Sequence, residues 1–240
     1  MTSSRKKKSL TTQTTRTNNQ PPPPSWETFL AEISRHIHGC GAPAPAVDTI
    51  HRRWPGPYSV LVSTLISLRT KDSVTLQSSA RLLEQAPTLE DLAALDTEQI
   101  SQALYPAGFY RRKSQQLAQI ARYIMDHHHG RIPDTRETLL ALPGVGIKTA
   151  NLVLGIGFSI PAICVDIHVH RIVNRCGLVS TSSPEETLSV LEKTVPRDHW
   201  IDVNQILVPF GQTTCSPVSP RCSTCPLADW CPRTGVTNSR

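Results

Sequence analysis

No apolar run opens this chain, no small-residue cleavage site follows one, and no long stretch is free of charge, so neither secretion nor membrane insertion is expected. The seven cysteines are therefore read as reduced thiols of a cytosolic or nuclear compartment, not as a disulfide framework. Sustained period-two alternation is also missing, and with it any hairpin flanked by strands. Acid is absent until Glu27, whereas Arg5, Lys6, Lys7, Lys8 and Arg16 precede it. Those five charges make up most of the formal +6 and leave the body near +1. An anionic partner must then be held by a local patch or by backbone dipoles, and net charge alone does not establish nucleic-acid binding.

At 240 residues the chain can bury a substantial core in one large or two small domains. Residues 1–24, polar and closed by Pro21 to Pro24, read as a disordered basic arm. A nuclear signal, a nucleic-acid tether and a solubilising tail fit that arm equally. It has the acid-poor composition of a transit peptide but no amphipathic stripe. From Ser25 onward the period is helical. Trp26, Phe29, Leu30, Ile33 and Ile37 share a face, Val60 to Leu68 form a buried-looking run, and Leu117, Ile120, Ala121 and Ile124 mark another amphipathic helix. Asp96 with Gln99, and Ser183 with Glu186, have capping-box spacing. The fold class is all-α.

Between Thr138 and Gly157 two helical stripes are broken by Pro143, Gly144, Val145 and Gly146. Glycines two apart allow a tight turn and leave amides of the turn and of the next helix's first residues to face an anion such as a phosphate. An ordinary helix-helix connection needs the glycines only for the turn. Lys148 opens the second helix, where the positive dipole end disfavours an ammonium and favours a nucleophilic amine. Asp166, in the frame VDIHVHRIVNR, reads as the N-cap of a helix. A capping carboxylate beside a partly buried site can also stabilise positive charge on a sugar. His168 and His170 flank it without an assignable role, and His127 to His129 read as a solvated helix end.

Cys215, Cys222, Cys225 and Cys231 form a C-x6-C-x2-C-x5-C array that can converge on one metal centre. Cys40, Cys164 and Cys176 sit among apolar neighbours and read as buried packing residues.

Taken in order, LPGVGIKTANLVL, VDIHVHRIVNR and the cysteine array resemble the endonuclease III branch of the helix-hairpin-helix DNA glycosylases, from about Pro57 to Pro232. The resemblance implies a two-lobed fold: a six-helix domain over residues 50–160, and an iron-sulfur cluster domain from residues 25–49 and 161–240. It implies Lys148 as nucleophile, Asp166 as catalytic aspartate, and the four cysteines as ligands of a [4Fe-4S] cluster. Gly144, Val145, Gly146, Arg69 and Phe109 are then the expected DNA-binding residues. The implied activity is removal of oxidised pyrimidines with abasic-site lyase action, in base-excision repair. The partner is double-stranded DNA containing damaged bases or abasic sites, bound by a monomer with no membrane association. The compartment is cytoplasm or nucleoid in a bacterium and nucleus in a eukaryote.

Three departures from the family pattern stand out. Arg69 occupies a position where a glutamine is usual, and Phe109 one where a smaller aliphatic wedge is common. Arg111, Arg112 and Lys113 beside it read as phosphate contacts or as solvated charges. The loop after Cys215 offers only Arg221 as a cation, so the hairpin amides are expected to carry more of the phosphate binding. Two alternatives stay open: a monofunctional mismatch or damaged-base glycosylase, which Lys148 argues against, and a noncatalytic DNA-binding module whose cysteines hold zinc.

Overall fold

The computed structural model describes residues 21–240, so the basic run of the expected N-terminal arm lies outside the described residues. Among the described residues every regular element is helical and no strand occurs, as the missing alternation predicts. Ser25 starts α1 (Trp26–Gly39) by accepting from the Thr28 amide at 3.2 Å. Phe29, Leu30, Ile33 and Ile37 of that helix are buried, while Trp26 stays half-exposed and meets Phe29 edge-on.

After α2 (Ala46–Arg53), the apolar run forms α3 (Pro57–Ser67), which is buried almost throughout. α4 (Asp72–Gln85) follows, then α5 (Leu89–Ala94) and α6 (Thr97–Leu104), each opened by a complete capping box. Asp96 and Gln99 make the one expected from sequence, and Thr88 with Asp91 makes another. The long α7 (Tyr110–His128) lays Leu117, Ile120, Ala121 and Ile124 into the interior. α8 (Arg136–Leu140) and α9 (Ile147–Leu152) flank the glycine turn, and α9 continues as a π-helical stretch through Val153–Gly157. These elements, α2 through the π-helical stretch, enclose one hydrophobic core.

A second core is built from the two ends of the chain. α1 packs with α10 (Ile167–Arg175), α11 (Pro184–Thr194), α12 (Trp200–Thr213) and the cysteine segment around Phe29, Ile33, Val169, Leu207, Phe210 and Trp230. Ser183 caps α11, but the Glu186 carboxylate reaches back one residue further, to the Ser182 amide and hydroxyl at 2.8 Å. The chain thus leaves the second core after α1, builds the first core, and returns to close the second. No described helix is long and apolar enough to cross a membrane.

Candidate active site

A cavity of about 670 Å³ opens where the two cores meet. Its walls carry Asp48 from α2, Arg69 from the α3–α4 loop, Lys148 and Asn151 from α9, and Asp166 with His168 at the start of α10. Lys148 is the second residue of α9 and is half-buried. Asp166 caps α10, its Oδ1 accepting from the His168 and Val169 amides at 2.8 and 2.9 Å. Both cap bonds use one oxygen, so capping leaves the other carboxylate oxygen outside the helix terminus. Behind the wall Cys164 is buried, and burial pushes its thiol up to about 12, with Lys148 opposing and Asp166 and Asp48 adding to the rise.

His168 faces the cavity, and burial pushes its ring below the usual histidine range against the pull of Asp166. Its Nδ1 meets Arg171 Nη2 at 3.1 Å, and that guanidinium donates to the carbonyls of Gly211 and Cys215. His170 is engaged elsewhere, with Nδ1 2.6 Å from Thr187 Oγ1 in a network with Asn174 and Thr181.

Two wall residues escape the sequence reading. Asp48 is only 7 % exposed; Oδ1 accepts from Gln205 Nε2 at 2.6 Å, and Oδ2 has no partner. Burial pushes its carboxyl above the usual range, with the Gln205 bond opposing. Asn151 donates to the Ile163 carbonyl at 2.7 Å while its Oδ1 stays unpartnered. Nothing in the frame APAVDTI separates Asp48 from an ordinary first-turn helix acid; only the fold buries it.

The glycine turn is held from α7, where Gln116 Nε2 donates to the carbonyl of Gly144 at 2.9 Å. Gly144 has φ +69°, a left-handed conformation that favours glycine. Gly146 sits in extended backbone with nothing within 4 Å of where a Cβ would stand, so the space before α9 is open to a ligand. The turn offers fewer donors than the sequence suggests. Val145 is buried and its amide is committed to the Leu142 carbonyl at 3.1 Å, which removes it from the amides that the turn and the first turn of α9 can offer.

Arg69 and Phe109 lie on neighbouring loops, both exposed, with the guanidinium 5.7 Å from the ring centroid. Phe109 is 60 % exposed and so is not a core residue. Arg111 and Arg112 are exposed, but Lys113 corrects the expectation of a solvated or phosphate-binding charge. It is 5 % exposed, and burial pushes its ammonium down to about 8.

Cys215, Cys222, Cys225 and Cys231 line one small pocket together with Arg175, Phe210 and Leu227. Arg175 Nη1 lies 3.4 Å from Cys215 Sγ and donates to the Ser216 carbonyl at 2.8 Å. Cys176 Sγ is 3.9 Å from Cys231 Sγ; this contact favours the Cys231 thiolate, down to about 7, and holds Cys176 protonated. Burial pushes the Cys215 and Cys225 thiols up, with the Arg175 guanidinium opposing at Cys215. Four soft sulfurs with no nitrogen or oxygen donor suit an iron-sulfur group. Among the described residues no three His, Cys, Asp or Glu side chains close to the spacing of a single-ion site. Cys164 and Cys176 are buried as expected, whereas Cys40 is exposed, because it ends α1 where the chain turns into solvent.

Comparison with known proteins identifies the group. Residues 62–197 match the HhH-GPD superfamily base excision DNA repair protein family, and residues 215–231 match the iron-sulfur binding domain of endonuclease III. Endonuclease III of Thermotoga maritima is 44 % identical over 73 % of this chain and 82 % of its own. The chloroplastic endonuclease III homolog 2 of Arabidopsis thaliana is 40 % identical over 87 % of this chain but only 58 % of its own length. A solved trapped endonuclease III–DNA covalent intermediate superposes with a TM-score of 0.69 at 30 % identity, covering 82 % of this chain and 95 % of that one. The all-α fold, the glycine turn at the cavity and the terminal cysteine pocket agree with these matches, and the chain belongs to the HhH-GPD superfamily of base excision DNA repair proteins, in its endonuclease III branch with a [4Fe-4S] cluster.

Proposed function

We infer that this protein is a bifunctional DNA glycosylase and abasic-site lyase of base-excision repair, acting on oxidised pyrimidines in duplex DNA. The observation that carries this reading is the sharing of one cavity by a half-buried lysine at a helix start and a carboxylate at another. A base extruded from the stack enters the cavity between the two cores. The Lys148 amine attacks C1′; the glycosidic C–N bond breaks and the base leaves with its electron pair, taking up a proton. Opening of the sugar gives an imine between C1′ and Lys148. Loss of a C2′ proton then expels the 3′ phosphate by β-elimination, and hydrolysis frees the lysine. Asp166 supplies negative charge beside the sugar carbon as it becomes electron-poor.

The amides at the start of α9 receive a backbone phosphate, and Arg69 and Phe109 fill the space left in the duplex. Cys215, Cys222, Cys225 and Cys231 are assigned as the cluster ligands. The cluster supplies structural cross-linking when bound, and Arg171 and Arg175 fix the loop that carries its first ligand. We assign the two cores as the two lobes, with DNA lying across the cleft. The working unit is one chain, in whichever compartment holds the DNA it repairs.

Borohydride reduction tests the reading, because only an imine intermediate becomes a stable protein–DNA adduct. Wild type is expected to trap on a duplex with an oxidised pyrimidine, and Lys148→Ala to lose on the order of 10³-fold or more in strand cutting with no adduct. Base release without any trapped adduct would favour the monofunctional alternative.

A further inference from the structure

Arg69 and Phe109 stand on different loops, 40 residues apart in sequence, and both have left-handed backbone, with φ 54° and 57°. Such conformations persist in non-glycine residues only where the surroundings over-determine them. The surroundings here converge on Lys113. Its ammonium donates to the Ile66 carbonyl at 2.6 Å, the Leu68 carbonyl at 2.6 Å and Thr70 Oγ1 at 2.7 Å. An ammonium has three N–H donors, so all are used, and the three acceptors bracket Arg69 on both sides.

The other loop is reached through Thr70: its Oγ1, the third acceptor of the Lys113 ammonium, takes a second bond from the Gly108 amide at 3.2 Å, and the Phe109 carbonyl accepts the first helical bond of α7 at 3.0 Å. A Cβ on Gly108 would collide with the Arg69 carbonyl oxygen, so the two loops touch backbone to backbone. We propose that Lys113 is a positioning residue that clamps Arg69 and Phe109 into a single two-pronged wedge, setting both side chains at one separation for insertion into the duplex. Each prong alone would have to be ordered on binding; clamped together, they are ordered beforehand. The inference rests on the assignment of Arg69 and Phe109 as the inserted residues.

Two variants test it: Lys113→Met, which keeps the stem and removes the donors, and Thr70→Val, which keeps shape and removes the shared acceptor. Activity on a lesion-bearing duplex is expected to fall on the order of 10- to 100-fold in Lys113→Met and less in Thr70→Val, since a small misplacement carries a cost of that size. Borohydride trapping on single-stranded abasic DNA, which needs no insertion, should stay within about two-fold of wild type if a shift in position is the only defect. 2-Aminopurine placed opposite the lesion should report altered stacking in the bound duplex. Lys113→Met added to the Arg69→Ala, Phe109→Ala double variant should cost nothing further, since both groups it positions are already gone. Parallel losses on single and double strands, or a Lys113→Met loss that persists undiminished in that background, overturn the clamp. Should Arg69→Ala and Phe109→Ala leave duplex activity intact, the insertion assignment falls and takes the clamp with it. An effect of those two variants without one from Lys113→Met removes only the clamp.

Discussion

Asp48 carries a cost on the cavity wall. A carboxylate oxygen without a partner, on a side chain 7 % exposed, opposes ionisation, and the Gln205 bond with the nearby charges of Arg52 and His51 offsets only part of this. The folded carboxyl therefore holds its proton to higher pH than the unfolded one. For a raised carboxyl the linkage favours the fold at low pH, and stability declines as pH rises from the unfolded value through the folded one. Asp48→Asn keeps an acceptor for Gln205 and removes the charge. A Tm gain of roughly 2–4 °C per kcal/mol relieved is expected near neutral pH. The gain should shrink toward zero near about pH 4, where the unfolded carboxyl is itself half-protonated. Thermal melts at the two pH values check this, and an equal gain at both would show that ionisation is not the source. Asp48 and Lys113 were invisible in the sequence for one reason: what buries them lies far along the chain. The acceptors of Lys113 are 43 to 47 residues away, and the partner of Asp48 is 157.

Elements were legible where local chemistry decides them. The Asp96–Gln99 box, the α7 stripe, the glycine turn and the start of α10 at Asp166 all follow from contacts within four residues, and all are present. The π-helical continuation of α9 was not legible, because six helical residues hold too little periodicity to reveal a change of winding. Asp166 gives this scale its test. Asp166→Asn retains an acceptor for the α10 amides, whereas Asp166→Ala loses both cap bonds and about 1 kcal/mol of stability. Both variants are expected to lose activity, on the order of 10²-fold, since both lose the charge. Comparing urea midpoints with excision rates separates the roles: stability should distinguish the two variants and activity should not.

At the scale of the molecule, closure of the second core depends on segments from both ends of the chain. α1 contributes Phe29, Leu30, Ile33 and Ile37 to a core otherwise made from residues after 162, and Phe29 meets Trp230 edge-on at 5.9 Å. The cysteine pocket closes the same core, since Cys215 and Cys231 are among its buried residues. Iron removal is therefore expected to loosen the second core first. Loss of the cluster's visible absorbance should be accompanied by hydrogen exchange in α10 and α12, before α3 and α7 become exposed. Simultaneous exchange in both cores would argue against this order. The division of the chain around α1 follows from sequence only through resemblance; helical periodicity says that α1 is amphipathic but not which core receives it.

One face of α7 has a consequence beyond stability. Lys113 bonds the loops that bear Arg69 and Phe109, and Gln116, three residues on, bonds the turn that bears Gly144. About 4.5 Å of helix rise separates the two attachments. On the roles proposed for these residues, the helix works as a caliper: one jaw at the wedge that would pry the duplex apart, the other at the turn that would grip its backbone, at a fixed gap. A single residue inserted between positions 113 and 116 would rotate one jaw by about 100° relative to the other while leaving each intact. Such a protein should still hold DNA and still form an imine at an unpaired abasic site, yet be unable to grip and pry the same duplex at once.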